Sequence, residues 1–228
     1  ELDFQILDPD GEGLQMTVLL VAAKRELVEG RIGLLAEAGL DAKVIDVDAF
    51  ALHNAFELNH PDDLGGIVGL VNIGHETTNI SLLEDGIPVL TRDMPLGTRR
   101  LREDLQRERG VSVDEAEQMI RGGERNEILE PFVATRGDEL ATGIERAAAF
   151  LQSSSRSGGA VSRIFLVGGG ARVPGLAKVL ADRLRVRVEL ANPLGRLAVA
   201  DGVFDDMNMD EVAPLLMLPI GLALRMVA

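Results

Sequence analysis

The chain has 228 residues, 46% of them apolar, and a formal net charge of −14. This length and apolar share suit a globular core in one or two domains rather than a disordered chain. The acidic balance argues against a nucleic-acid surface, which needs clustered Lys and Arg, and the absence of cysteine excludes disulfides, thiolate catalysis and thiolate metal sites, a usage that fits a cytoplasmic protein.

No segment reads as a membrane span. The most apolar stretch, 212–228, contains Pro214, Pro219 and Arg225. Nothing at the start resembles a signal peptide. The first residues lack an initiator methionine and begin inside a strand-like pattern, so the expectation is that residues are missing before Glu1.

In chain order, residues 3–7 and 14–22 read as strands joined by the turn signal Asp8-Pro9-Asp10-Gly11. A helix over 24–38 follows, with Gly39 as its C-cap, and then a third strand over 43–47. Asp48 reads as the N-cap of a helix over 49–58. His53 and His60 lie in or near that helix with no further ligands spaced for a metal, so both read as structural or solvent-facing. Residues 59–66 read as a linker and a domain boundary.

Residues 67–94 carry the organising pattern. Residues 67–73 form an almost unbroken apolar run, as in a strand buried on both faces. Residues 78–83 and 87–91 read as two further strands around the turn Glu84-Asp85-Gly86. The turn Gly74-His75-Glu76-Thr77-Thr78 admits two readings. One is an ordinary hairpin with threonines on its face. The other is an anion nest, with successive N–H groups and the Thr77 and Thr78 hydroxyls as donors.

Pro95-Leu96-Gly97 reads as a hinge-like break. A helix over 98–109, dense in both charge signs, reads as a solvated face. Ser112-Val113-Asp114-Glu115 matches a capping box that opens a helix ended by Gly122-Gly123. A longer helical region over 126–151 is expected to break at Pro131 and Gly137, and 152–159 to be a flexible loop whose serines lack a nucleophile elbow. A buried strand over 161–167 then meets Gly168, Gly169 and Gly170, followed by a helix over 174–184 with Pro174 in its first turn. This is either a phosphate or nucleotide cradle or a tight strand-to-helix turn, and it fits neither the P-loop nor the GxGxxG pattern. A short strand over 186–190 and a final apolar helix over 211–227, capped by Asp210 and distorted by Pro219, complete the chain.

Two strand-turn sites with a helical insert between them resemble the actin and sugar-kinase fold. More specifically the chain resembles the PilM family, the FtsA-like cytoplasmic proteins of type IV pilus assembly. The resemblance lies in residues 15–56 (QMTVLLVAAKRELVEGRIGLLAEAGLDAKVIDVDAFALHNAF), 70–97 (LVNIGHETTNISLLEDGIPVLTRDMPLG), 112–123 (SVDEAEQMIRGG), 164–176 (IFLVGGGARVPGL) and 212–225 (VAPLLMLPIGLALR), which together cover most of the chain. VLLVAAK and VIDVDAFALHNAF are the most PilM-like; the others are shared more widely.

The resemblance implies an α/β actin-like ATPase fold with an inserted β-β-α-β subdomain, 1C. Residues 1–48 would be 1C, 49–64 a remnant of 1A and a linker, 65–97 with 161–209 subdomain 2A, 98–160 the helical 2B, and 210–228 a helix returning to 1A. Most of 1A, with the family's first phosphate loop, would precede Glu1.

By position, the resemblance implies ATP with Mg as cofactor. Gly74, Thr77 and Thr78 would form the second phosphate loop. Gly168, Gly169 and Gly170 would face the adenosine and α-phosphate, and Glu117 would approach the ribose. Asn72 would stand near the metal water, where the wider family often has Asp. Neutral Asn neither acts as a base nor holds Mg²⁺ electrostatically as Asp does. His75 and Glu76 replace small residues, so Glu76 is expected to repel a phosphate. Thr98 replaces a Gly and Ile120 a Lys of the family's pattern, and each departure weakens the case for hydrolysis.

The implied function is a scaffold peripheral to the inner membrane through its partners. It docks the cytoplasmic N-terminal tail of a PilN-like membrane protein in a groove between 1A and 1C. It self-associates into a ring that links to the pilus motor ATPases and the platform protein. The alternatives are an actin-like ATPase with real turnover, an FtsA-like division protein and a GspL-like secretion domain.

Overall fold

A computed structural model describes residues 1–6, 16, 18–121, 126–154 and 159–225, with the backbone alone for Ser153, Ser154 and Asp210. The chain divides into two compact units, Glu1–Asp46 and Val47–Ala228. The expected turn at 8–11, the Gly122-Gly123 helix stop and the side chain of Asp210 lie outside the described residues, as do 155–158 of the expected loop.

In the first unit β1 (Leu2–Ile6) pairs antiparallel with β2 (Val18–Ala22), and α1 (Arg25–Glu37) follows. The pairs Leu2–Ala22, Phe4–Leu20 and Ile6–Val18 stack apolar side chains on one face of the ribbon. No described residue of this unit is buried; Leu2 is 73% and Phe4 65% exposed. The strand expected over 43–47 is absent, so the unit is β-β-α. Its β-branched residues favour a strand only where a pleated surface takes them, and Val44 and Ile45 meet none.

The second unit is built on a mixed sheet in the order β5-β4-β3-β6-β7. Strands β3 (Ile67–Ile73), β4 (Thr78–Glu84) and β5 (Ile87–Met94) run antiparallel in sequence; β6 (Val161–Val167) lies parallel to β3, and β7 (Arg187–Leu190) parallel to β6. Asp85 and Gly86, both at positive φ, make the two-residue β4–β5 turn. Period-two alternation splits the strands between two cores. Val71, Ile73, Ile80, Ile164 and Leu166 pack under α3 (Thr98–Arg109), α4 (Val113–Arg121), α5 (Glu130–Ser154) and α6 (Leu176–Leu184). Val68, Leu70, Leu83, Phe165 and Val167 pack on the other face with α2 (Asp48–Asn59) and α7 (Met209–Leu224).

Several expectations change. Asp48 is the first residue of α2 and Val47 its cap. Residues 59–66 contain a 3₁₀ turn, Pro61–Asp63, and fall inside the second unit, where Leu52, Ala55 and Phe56 of α2 share a core with β3. His60 is fixed within this unit: its Nε2 accepts the Asn192 N–H at 2.9 Å, its Nδ1 lies 3.2 Å from Asp63, and its ring stacks on Phe56.

Helix α5 is unbroken at Pro131 and Gly137. Pro131 sits in the first turn, where its N–H would have no helical partner. Gly137 is a contact point, since a Cβ there would lie 2.5 Å from Val179 Cγ1 of α6. The helix extends to Ser154, beyond the expected loop start. The α3 surface is not wholly solvated: Asp104 is buried and bound by Arg136 Nε at 2.7 Å and by Arg107. Pro174 precedes α6, because the glycine run itself folds into a 3₁₀ turn, Gly169–Arg172. Asp210 lies inside α7 rather than before it. Among the described residues no helix is long and apolar enough to cross a membrane.

The capping box forms: the Ser112 N–H and hydroxyl both donate to Glu115 Oε2 at 2.8 Å, and the Glu115 N–H returns to Ser112 Oγ at 3.2 Å. These bonds hold the Glu115 carboxyl below its ordinary value. Its contribution to stability is therefore full above the unfolded carboxylate pKa and is lost as pH falls through the depressed folded value. Glu115→Gln, which removes the titrating carboxyl, is expected to flatten this acid limb in urea melts taken from about pH 6 to 3; an unaltered limb would mean that the box does not form in solution. At the α2–α7 crossing, a Cβ on Gly221 would lie 1.7 Å from the Ala51 carbonyl oxygen. Gly221→Ala should therefore destabilise by about 1–3 kcal/mol in chemical denaturation, against the gain of up to about 1 kcal/mol that Ala brings to a helix interior.

Candidate functional site at the carboxyl edge of the sheet

Because β3 and β6 are parallel neighbours, with Asn72 opposite Val167, their carboxyl ends lie side by side. In open α/β sheets this edge is where ligands bind. The turn Gly74–Thr77 leaves β3 there, and Gly168–Gly170 leave β6. A Cβ on Gly168, at φ +82°, would lie 2.3 Å from Asn72 Oδ1. One on Gly170 would lie 2.3 Å from Ile73 Cγ2 and 2.9 Å from Thr98 Cγ2. The structure thus brings Asn72, Gly74, Gly168, Gly169 and Gly170 together, with the start of α3 against them.

Many donors at this edge are already committed. Gly74 N–H donates to Thr77 O at 3.0 Å. The first N–H groups of α3, on Thr98 and Arg99, donate to Gly74 O at 3.1 Å and His75 O at 2.8 Å, so the helix start is capped by the turn itself. Gly97 must be small: a Cβ there would lie 2.3 Å from His75 O. Gly168 N–H donates to Pro214 O of α7 at 2.9 Å. Thr78 is fully buried, and its hydroxyl donates to Leu96 O at 2.6 Å. Thr77 is exposed. Among the described residues, the N–H groups of His75, Glu76, Thr77, Gly169 and Gly170 have no backbone acceptor.

The charges are compensated locally. Glu76, expected to repel a phosphate, is paired with Arg99 Nη1 at 2.8 Å, and Arg99 also holds Glu103 at 2.8 Å. Hydrogen bonds to Glu103 first, and then to Glu76, keep the Arg99 guanidinium above its ordinary value. Glu117 lies on α4, its Oε1 3.0 Å from Arg102 Nη1 of α3. Asn72 is half-buried and its amide makes no hydrogen bond to the described protein. That leaves it free for a ligand or a metal-bound water. Among the described residues no cluster of three His, Asp or Glu side chains is placed to hold a metal ion.

Sequence reasoning missed Arg102, Leu96 and Pro214. A lone carbonyl leaves no mark in a sequence. Arg102 was hidden among the arginines of α3, although its position next to the buried Leu101 marks the edge of the helix's inward face. Thr78→Val keeps the shape but removes the donor to Leu96 O, and is expected to cost about 1–2 kcal/mol in thermal unfolding. An unchanged melt would mean that the hydroxyl is available for a ligand instead.

A sequence model of the family described as type IV pilus assembly protein PilM matches residues 1–227. Among solved structures, a chain of a PilM–PilN type IV pilus biogenesis complex is similar at a TM-score of 0.86 and 29% identity, over 100% of this chain and 67% of that one. Ethanolamine utilization protein EutJ from Carboxydothermus hydrogenoformans is similar at a TM-score of 0.63 and 22% identity, over 89% of this chain and 62% of that one. MreB 5 of Spiroplasma citri, bound to AMPPNP, is similar at a TM-score of 0.59 and 12% identity, over 87% and 64% respectively. The last two speak to fold alone, and the fold is the actin-like ATPase fold.

Proposed function

The chain belongs to the PilM family of type IV pilus assembly proteins, and we propose that it is a cytoplasmic scaffold of the pilus machine that docks the N-terminal tail of a PilN-like inner-membrane protein. The observation that carries this reading is the similarity of the whole chain to a chain of a PilM–PilN complex, at a TM-score of 0.86. The first unit adds a physical reason. An apolar ribbon face with Phe4 at 65% and Leu20 at 64% exposure is the kind of surface that a partner covers. On this reading the protein is held at the membrane by its partners, assembles into a ring, and connects to the motor ATPases and platform protein. The finer division into 1C, 1A, 2A and 2B belongs to the same proposal.

The cleft reading is part of it. Asn72, Gly74, Thr77, Glu117 and Gly168–Gly170 form this chain's side of an ATP site, with the buried Thr78 fastening the turn to Leu96 behind it, supported by nucleotide in the MreB 5 structure of the same fold. Bound Mg²⁺ would neutralise phosphate charge. This chain's groups position: the free N–H groups of the Gly74–Thr77 turn meet the phosphates, and the glycine turn admits the nucleoside closely. Asn72 carries no charge and takes no proton, which favours binding over turnover.

Calorimetric titration of the full-length protein with the tail peptide, with and without Mg·ATP, tests both parts. Saturable peptide binding, weakened at least tenfold (about 1.4 kcal/mol) by Phe4→Asp, is expected. ATP that shifts the peptide affinity by about 5–150-fold would mark a coupled switch. Peptide binding without ATP binding would leave a scaffold whose cleft is silent, and binding of neither would sink the assignment.

A further inference from the structure

Behind the Gly74–Thr77 turn lies a polar cleft of about 410 Å³, the scale of a binding pocket rather than of a packing gap. Thr77 and Pro95 line it, together with four arginines: Arg99, Arg100 and Arg107 of α3 and Arg136 of α5. Val71 and Ile73 of β3 point to the α3 side of the sheet, so Asn72 between them faces the α2 side and away from this cleft.

Three of the four arginines are held in place. Arg99 binds Glu76 and Glu103, each at 2.8 Å. Arg136 reaches the buried Asp104 through Nε at 2.7 Å, and Arg107 binds the same carboxylate. Glu108 and Glu139 take further bonds from Arg107 and Arg136. Arg100 is different. It is exposed, and among the described residues it has no hydrogen bond or ion pair. A carboxylate from outside gains most at such a cation, because it displaces no partner and meets neighbours that are already fixed.

The chain itself carries a matching surface. Residues 197–208 lie between β7 and α7 with neither helix nor strand. Asp201, Asp205 and Asp206 there are exposed, and they too have no hydrogen bond or ion pair among the described residues. No Lys or Arg occurs between Arg196 and Arg225 to neutralise them from within the segment. Val203 at 53% and Met207 at 52% exposure stand beside them in the chain, so the segment offers apolar area as well as charge. It follows the edge strand β7, whereas the cleft stands at the β3–β4 turn and α3, so the two are different surfaces of one copy. A contact between unlike patches repeats from copy to copy, and closes a ring where the rotation allows.

We propose that the segment 199–207 of one copy docks in the arginine cleft of the next, with Asp205 and Asp206 on Arg100. This names the contact behind the self-association put forward above and rests on that part of the reading alone. Sedimentation velocity of the full-length protein at increasing concentration tests it. The samples are the wild type, Arg100→Glu, the double variant Asp205→Arg with Asp206→Arg, and an equimolar mixture of the two variants, with thermal melts to verify folding. The wild type should self-associate, and less so as salt rises. Each variant alone should associate about tenfold more weakly or worse, because like charges then meet across the contact. The mixture should regain association, since each copy meets a copy of matching charge, a recovery that damage to either variant would not produce. A wild type that stays monomeric, folded variants that associate as the wild type does, or a mixture that stays dissociated overturns the inference. If the arginine double variant does not fold, Asp205→Asn with Asp206→Asn replaces it, and association equal to the wild type there overturns the inference equally. Tail-peptide titration of the same variants keeps the two readings apart: peptide binding that persists where the mixture fails to recover sinks the copy-to-copy contact and leaves the docking function standing.

Discussion

The parallel pairing of β3 with β6 is the contact on which the rest of the second unit depends. It joins strands far apart in sequence, and such a pairing needs a long crossover. Here α3, α4 and α5 supply it. The register that sets Asn72 against Val167 ends both strands at the same edge. Two turns of different chemistry then meet without any element reaching across the sheet. Both faces of these strands are buried, which fixes the register strongly, because a slip of one residue would exchange the two cores.

At that edge, close approach of backbones governs composition. Gly97 lies against the His75 carbonyl, Gly170 against Ile73 and Thr98, and Gly168 against Asn72. Each of these contacts would be broken by a methyl group. The same packing takes up the hydrogen-bonding groups one would first assign to a ligand: the carbonyls of the Gly74–Thr77 turn cap the start of α3, and the Thr78 hydroxyl fastens β4 to Leu96. The edge is a preformed, mostly satisfied structure with a few donors left over, and that suits tight positioning better than rearrangement.

Electrostatics follows the same pattern of local closure. In a chain of net charge −14, α3 concentrates arginines that meet Glu76 of the turn and Glu117 of α4, while its own buried Asp104 is held by Arg136 of α5. Exposed pairs such as Glu76–Arg99 add little stability, but they cancel charge at the Gly74–Thr77 turn. The half-buried Arg102–Glu117 pair is of another kind, since it is partly screened from water and ties α3 to α4.

Periodicity in the sequence determined the sheet strands of the second unit, α3 to its ends, the capping box and the candidate turns, because each rests on neighbours in the chain: apolar alternation, a Gly at positive φ, a Ser three residues before a Glu. The family motifs at 70–97 and 164–176 pointed to the same edge. Tertiary structure alone decided the remainder. Pro131 and Gly137 read as helix breakers, yet one occupies a first turn and the other makes room for Val179. Residues 43–47 read as a strand and found no partner to pair with. Thr78 and Arg102 took their roles from a carbonyl and a carboxylate supplied by other elements. A side chain's donors are written in the sequence, but the acceptor that claims them is chosen by which segments the fold brings within about 3 Å.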